Sequence, residues 1–218
     1  MVVSKIARSI LNDMNRTIEE LCEKGIVRDI RGISTKETGK ASYIISFSGK
    51  NDSGSIVFDK HITAAEIIDV LLRELQYTIL LYDKSIIQAE YEITDNIITK
   101  ERLVFMKRHN KIWDAKEIQE FETVDEDWFA EENGIPIILR IDYAPKDHVD
   151  GKHAATHLTL SNHESCRIPI KGIVTFSEFV RFVLNHFYNM ELKKEAYRFE
   201  ENDTITDLEK KMIHINWV

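Results

Sequence analysis

Apolar residues recur at helical spacing through Ile6, Ile10, Met14, Ile18 and Leu21, which predicts an amphipathic helix over residues 4–24, stopped by Gly25. Residues 42–48 and 55–59 are short β-prone runs on either side of the polar stretch Gly49–Gly54, the pattern of a hairpin. Thr63-Ala-Ala-Glu66 has the form of a capping box, in which the threonine hydroxyl and the glutamate carboxylate each accept a backbone amide at a helix start. The apolar pattern after it predicts a helix reaching about Tyr82, interrupted by Glu66, Asp69, Arg73 and Glu74.

Residues 85–93 and 99–107 flank Asp95-Asn96 and predict a second hairpin. Residues 135–143 predict a strand, and 157–161 with 166–170 a third hairpin. Thr175-Phe-Ser-Glu178 opens a second capped helix running to about Tyr188. Trp113, Phe121, Trp128 and Phe129 mark residues 114–133 as a covering loop and short helix, and Leu208, Met212, Ile213 and Trp217 are expected to dock part of a charged tail that begins at Lys193. Strands that arrive in hairpins make a largely antiparallel sheet, so the expected class is α+β, with capped helices packed on the sheet.

The hairpin and helix at 42–75 resemble those at 156–187, with Thr63 and Glu66 aligning on Thr175 and Glu178. Any capped amphipathic helix after a hairpin gives this pattern, and that reading is favoured. The sharper one is two ββα units about a pseudo-two-fold axis.

A chain of 218 residues, 43 % hydrophobic and 30 % charged, can bury a core without staples. It is read as one domain: an N-terminal helix in 1–30, a sheet-and-helix core in 40–190, and a partly docked tail in 191–218. Cys22 and Cys166 read as small buried residues in a reducing compartment, and two such cysteines leave no cysteine-rich zinc site. The first fifteen residues carry charges within a helical stripe, unlike a secretory leader, and no run approaches the ~18–20 apolar residues of a membrane span. The cytoplasm is the expected location, with no membrane contact. A net charge of −8 argues against a general grip on duplex nucleic acid. The acidity is uneven: Glu120, Glu122, Asp125, Glu126, Asp127, Glu131 and Glu132 crowd residues 120–133 without a Lys or Arg.

Four of the eight histidines fall between His148 and His163. Strand alternation sorts the side chains around them: Ile141 and Tyr143 point one way, Arg140 and Asp142 the other; Leu158 and Leu160 join the apolar face, His157 and Thr159 the polar one. If these strands are neighbours, Arg140, Asp142, His157, Thr159 and Arg167 share a face, and the loop 144–156 carries His148 and His153 over it.

Three chemistries compete for that face. Histidines exchange protons near neutral pH, so His153 and His157 could act as an acid–base pair on a phosphate held by Arg140 and Arg167, with Asp142 fixing a histidine tautomer. Such a set suffices for metal-free cleavage of RNA, where the 2′-hydroxyl is the nucleophile, and no cofactor is called for. Metal ligation by His153 and His157 is the weaker reading: on a strand their spacing is roughly 13 Å, so a shared ion needs a bend near Ala154–Thr156. The plain reading is structural, with Asp142 paired to an arginine, His157 bonded to backbone, and His148 and His163 as solvated turn residues.

Other motifs are weak. The eight glycines form no phosphate-binding loop, and no nucleophile elbow is visible. Arg102, Lys107, Arg108, His109 and Lys111 read as a solvated strand edge protected by lysine. The acidic run reads as a solvated face with aromatic anchors, partner docking being the alternative.

Arg-Ile-Asp-Tyr-Ala-Pro at 140–145, His153-x-x-x-His157-Leu, Cys166-Arg-Ile-Pro169 and the Phe-Val-x-Phe-Val-Leu-x-x-Phe-Tyr helix at 179–188 resemble a family of hypothetical bacterial proteins known only as a domain of unknown function. The family pattern often carries a further histidine after Leu158, where this chain has Thr159. The resemblance brings no established activity and, by association, implies a toxin-type or phage-defence component. Two functions follow as expectations. One is a toxin- or defence-linked phosphodiesterase or ribonuclease acting through His157, His153, Arg167, Arg140 and Asp142. The other is a non-catalytic accessory protein that binds a partner through the acidic segment, or self-associates through sheet edges.

Overall fold

The computed structural model describes residues 4–51, 62–107, 136–160, 166–193, 195–199 and 203–216. The class is α+β, as the hairpin pattern predicted, and the nine described strands form one antiparallel sheet. The chain runs through helix α1 (Lys5–Glu23), strands β1 (Val27–Ile30), β2 (Ile33–Gly39) and β3 (Ser42–Phe47), helix α2 (Ala64–Arg73), and strands β4 (Ile79–Leu81), β5 (Ile86–Thr94) and β6 (Ile97–Lys107). Strands β7 (Ile137–Tyr143), β8 (Thr156–Leu160) and β9 (Arg167–Pro169) follow, then helix α3 (Phe176–Phe187). The sheet order is β1-β4-β5-β6-β7-β8-β9, with β2 paired to β3 and β3 paired to the far end of β5.

Local signals set most of these boundaries. Ser4 caps α1 by accepting the Ala7 amide, and Gly25 leaves the helix at φ +69°, a conformation open to glycine. Both capping boxes are formed, Thr63 with Glu66 and Thr175 with Glu178. The β5–β6 turn places Asp95 and Asn96 at φ +51° and +62°, as a tight two-residue hairpin requires, and Asn96 Oδ1 accepts the Ile6 amide, tying the turn to α1.

Several expectations need correction. The helix expected to reach Tyr82 ends at Arg73; the apolar run Ile79–Leu81 is instead a fully buried strand, and periodicity does not separate a short buried strand from a helix. Strand β3 pairs with β2, which has a polar, exposed pattern; residues 55–59, its expected partner, lie outside the described residues. So do the acidic segment 120–133 and Trp217. Strand β6 is no solvated edge, because β5 and β7 flank it and Lys107 is buried; Arg108, His109 and Lys111 are outside the described residues. Cys22 is exposed, not buried. No helix among the described residues is long and apolar enough to cross a membrane.

The two faces of the sheet are covered differently. On one, Ile10, Met14 and Leu21 of α1 and Phe179, Val180, Val183 and Leu184 of α3 pack on Ile87, Tyr91, Leu103, Phe105, Leu139, Ile141 and Leu158. On the other, Ile67, Ile68 and Leu71 of α2 pack with Tyr77, Leu80, Ile86, Val104, Met106 and Ile138 in a smaller described cluster. The two capped helices thus lie on opposite faces, and the internal repeat is not established. A buried triad closes the first core: Lys107 Nζ and Tyr188 Oη both donate to Asp83 Oδ2, at 2.5 and 2.8 Å, with the ammonium 4.7 Å above the Tyr188 ring.

The C-terminal segment crosses the β9 end of the sheet. Ile215 exchanges backbone hydrogen bonds with Pro169 and Lys171, and Thr204 Oγ1 accepts from Thr156 Oγ1 and the Gly172 amide. The tail docks through Ile205, Glu209 and Ile215; Leu208, Met212 and Ile213, expected to dock, are exposed, Ile213 at 85 %.

Candidate functional site

Beyond α2, the second face of the sheet carries polar rows. Glu90, Arg102, Asp142 and His157 stand in register across β5, β6, β7 and β8. The next row is Gln88, Val104, Arg140, Thr159 and Arg167. Arg140, Asp142, His157, Thr159 and Arg167 therefore share one face, as strand parity predicted, because directly opposed residues project to the same side.

Within the rows, Asp142 is held by two guanidinium groups. Arg102 Nε donates to Oδ1 at 2.8 Å and Arg140 Nε to Oδ2 at 2.5 Å. Asp142 is 6 % exposed; burial alone would raise its pKa, but Arg102 and Arg140 outweigh it and hold the carboxyl below its ordinary value. Arg140 is thus engaged by the protein itself rather than presented as a phosphate clamp.

His157 is 2 % exposed and donates Nδ1–H to the Ala154 carbonyl at 2.9 Å, which fixes the tautomer because a carbonyl can only accept. Its Nε2 lies 3.9 Å from Asp142 Oδ2, beyond hydrogen-bond distance, so backbone and not Asp142 sets the ring. Burial pushes the imidazole pKa down to about 4, with smaller downward pushes from His153 and Arg167, against pulls from Asp142 and the Ala154 bond. His157 is neutral at pH 7, with Nε2 as a bare acceptor.

The bend that a strand spacing lacked is present. Val149 and His153 close a tight turn through reciprocal backbone hydrogen bonds, and the chain re-enters the sheet at Thr156. This folds the half-buried His153 back onto His157, rings edge to face with centroids 4.8 Å apart. Burial first, then Arg167, lowers the His153 pKa as well. Beside this pair two buried polar atoms lack hydrogen-bond partners: Thr159 Oγ1, on a residue 1 % exposed, and Nε of its cross-strand neighbour Arg167. Imidazole, hydroxyl and guanidinium N–H are the kinds of group that bind an oxyanion and move a proton.

The other histidines fall elsewhere. His148 is not a solvated turn residue: its Nε2 lies 3.3 Å from Glu209 Oε1. His186 packs against Phe182 with the rings tilted by 51°, and His214 bonds the Met212 carbonyl. His61, His109 and His163 are outside the described residues. Among the described residues the group of three metal-ligating side chains is His148, Asp150 and Glu209; His153 and His157 do not join one. A cavity of about 770 Å³ between α3 and the C-terminal segment is lined by Leu158, Arg181, Phe182, His186 and Ile215 among others, and by none of the five predicted site residues. Leu158 reaches it from the face opposite His157.

Sequence reasoning missed the pairing of Arg102 with Asp142, which the period-2 pattern of β6 could have suggested, and the role of Glu209. The latter had a signal: Thr206-x-x-Glu209 is a third capping box.

A protein-family model described as Uncharacterized conserved protein (DUF2290) matches residues 26–217. No curated protein and no solved structure matches the chain.

Proposed function

The chain belongs to the DUF2290 family of uncharacterized conserved proteins, and from the geometry of its own site we propose that it cleaves phosphodiesters, with RNA as the substrate class. The observation that supports this reading is the unpartnered Thr159 hydroxyl and Arg167 Nε beside the His153–His157 pair. In this reading Arg167 and Thr159 hold a phosphate oxygen. His153, the more exposed imidazole, takes the proton of the 2′-hydroxyl as that oxygen attacks phosphorus, and returns it to the departing 5′-oxygen. A 2′,3′-cyclic phosphate and a 5′-hydroxyl result. His157 holds His153 in place, and the Arg102–Asp142–Arg140 cluster stiffens the strands beneath.

The test is cleavage of a fluorogenic single-stranded RNA by the purified protein. His153→Ala is expected to lower the rate by about a hundredfold or more, Arg167→Ala to weaken substrate binding, and both to leave the melting temperature near that of the unsubstituted chain. Inert wild-type protein, or an unaffected His153→Ala variant, overturns the proposal. A toxin or phage-defence setting rests on the resemblance alone; growth arrest on induction that His153→Ala abolishes would support it.

One observation favours the non-catalytic reading. Val149, Leu208, Met212 and Ile213 are exposed apolar residues on two segments that meet at Gly151, as a partner surface would need. A complex that co-purifies and survives loss of His153 and His157 would support it.

A further inference from the structure

We propose that His148, Asp150 and Glu209 form a binding site for a first-row divalent metal ion, zinc suiting it best, which clamps the C-terminal segment to the histidine loop. The site is separate from the phosphodiester reading and stands without it. One donor atom from each residue lies within 4.8 Å of the other two. His148 Nε2 and Glu209 Oε1 are 3.3 Å apart. Two donors bound to one tetrahedral zinc at about 2.1 Å are separated by roughly 3.4 Å, so these two atoms already have the spacing of neighbouring ligands. Asp150 is exposed and supplies the third donor from within the same 4.8 Å.

Charge points to a cation. Glu209 is 0 % exposed, and among the described residues no Lys or Arg pairs with it or with Asp150. A buried carboxylate is costly without a counter-charge, and no described lysine or arginine supplies one. A divalent ion does, for both carboxylates at once.

Both carboxylates are also held with one oxygen left over. Thr206 Oγ1 donates to Asp150 Oδ1 at 2.5 Å, and the Thr206 amide donates to Glu209 Oε2 at 2.9 Å. One residue thus orients two of the three ligands, the arrangement that outer partners of metal ligands adopt, and leaves Asp150 Oδ2 and Glu209 Oε1 unengaged by Thr206. One nitrogen and two oxygens suit zinc or manganese better than thiophilic ions, and three protein ligands leave a position for water.

The turn is shaped for this contact. Gly151 sits at φ +67°, where a Cβ would come within 2.8 Å of the Leu208 side chain, so the loop and the tail are in contact beside the ligands.

The experiment titrates the full-length, metal-stripped protein with zinc chloride, followed by calorimetry and by melting temperature. One equivalent bound, with a raised melting temperature, is expected. His148→Ala and Asp150→Asn should each weaken zinc binding at least about tenfold. Asp150 is exposed, so its variant will fold even if a Glu209 variant does not. His153→Ala, outside the cluster, should bind zinc like the unsubstituted chain. No saturable binding, or binding that His148→Ala and Asp150→Asn leave unchanged, overturns the proposal. The readout is metal bound, not RNA cleaved, so its failure is distinct from failure of the phosphodiester reading.

Discussion

His157 and Asp142 are direct cross-strand neighbours, yet His157 Nε2 stops 3.9 Å short of Asp142 Oδ2 while Nδ1 bonds the Ala154 carbonyl. The carboxylate spends its oxygens on Arg102 and Arg140 instead. Imidazole and carboxylate therefore act on each other through space, and the consequences of removing each one separate.

For His157 the consequence is pH-dependent stability. Its folded pKa, about 4, lies below the ordinary value near 6.5, so between these the unfolded chain takes up a proton that the folded one refuses. Its contribution is complete above about pH 6.5 and falls away as pH drops toward 4, by about 3 kcal/mol in all. Urea unfolding at pH 7 and pH 4.5 should show a steeper loss for the unsubstituted protein than for His157→Gln. Equal losses would mean the ring titrates normally.

For Asp142 the consequence is at neutral pH. Asp142→Asn leaves two shielded guanidinium groups without their anion and is expected to cost about 3 kcal/mol. A melting curve reads this directly. A loss no greater than that of a surface substitution would show that solvent or another acid satisfies Arg102 and Arg140.

Glu101 behaves in the opposite sense. It is 0 % exposed on the α1–α3 face; burial, with Glu178 and Asp142 adding to it, raises its pKa well above the ordinary value. The folded carboxyl keeps a proton where the unfolded one has lost it, so its contribution is present at low pH and declines as pH rises through that window. Glu101→Gln should stabilise the protein at pH 8 by about 1–3 kcal/mol and by less at pH 5. Denaturant midpoints at the two values test it; a variant less stable at both would show that the carboxylate is needed as such.

The capping boxes of α2 and α3 are unequal. Thr63 is exposed, whereas Thr175 is 1 % exposed and its hydroxyl also lies 2.7 Å from the Tyr197 carbonyl, anchoring the C-terminal segment. Thr63→Ala is expected to cost about 1 kcal/mol and Thr175→Ala about 2 kcal/mol. Thermal unfolding of the pair, measured side by side, checks the order; equal costs would mean the Tyr197 contact contributes nothing.

What the sequence disclosed depended on whether a feature was local. Period-2 alternation in 140–143 and 157–160 was enough to put Asp142 and His157 on one face, because parity survives any choice of register that keeps the core buried. The caps at Thr63 and Thr175, and the turn at Asp95-Asn96, were equally visible, since each is made by residues a few positions apart. Strand β2 was not, because Ser34, Thr35, Lys36 and Glu37 lack an apolar face and are held to β3 by hydrogen bonds rather than by a buried stripe. The end of α2 was not either: Leu75 turns at φ +54°, a conformation that a leucine gives no hint of adopting. In the site, the fold-back of His153 onto His157 depends on the turn closed between Val149 and His153, and Glu209 reaches His148 from 61 positions away, so neither follows from spacing.

Lys107 ends β6 with its ammonium on Asp83 and over the Tyr188 ring, inside the core. Shift β6 by one position against its neighbours and that charge leaves its anion for the other face of the sheet. The penalty falls on the misaligned sheet and not on the native one, so this single lysine works as a proofreader of strand alignment, with Asp83 and Tyr188 as the slot that accepts it.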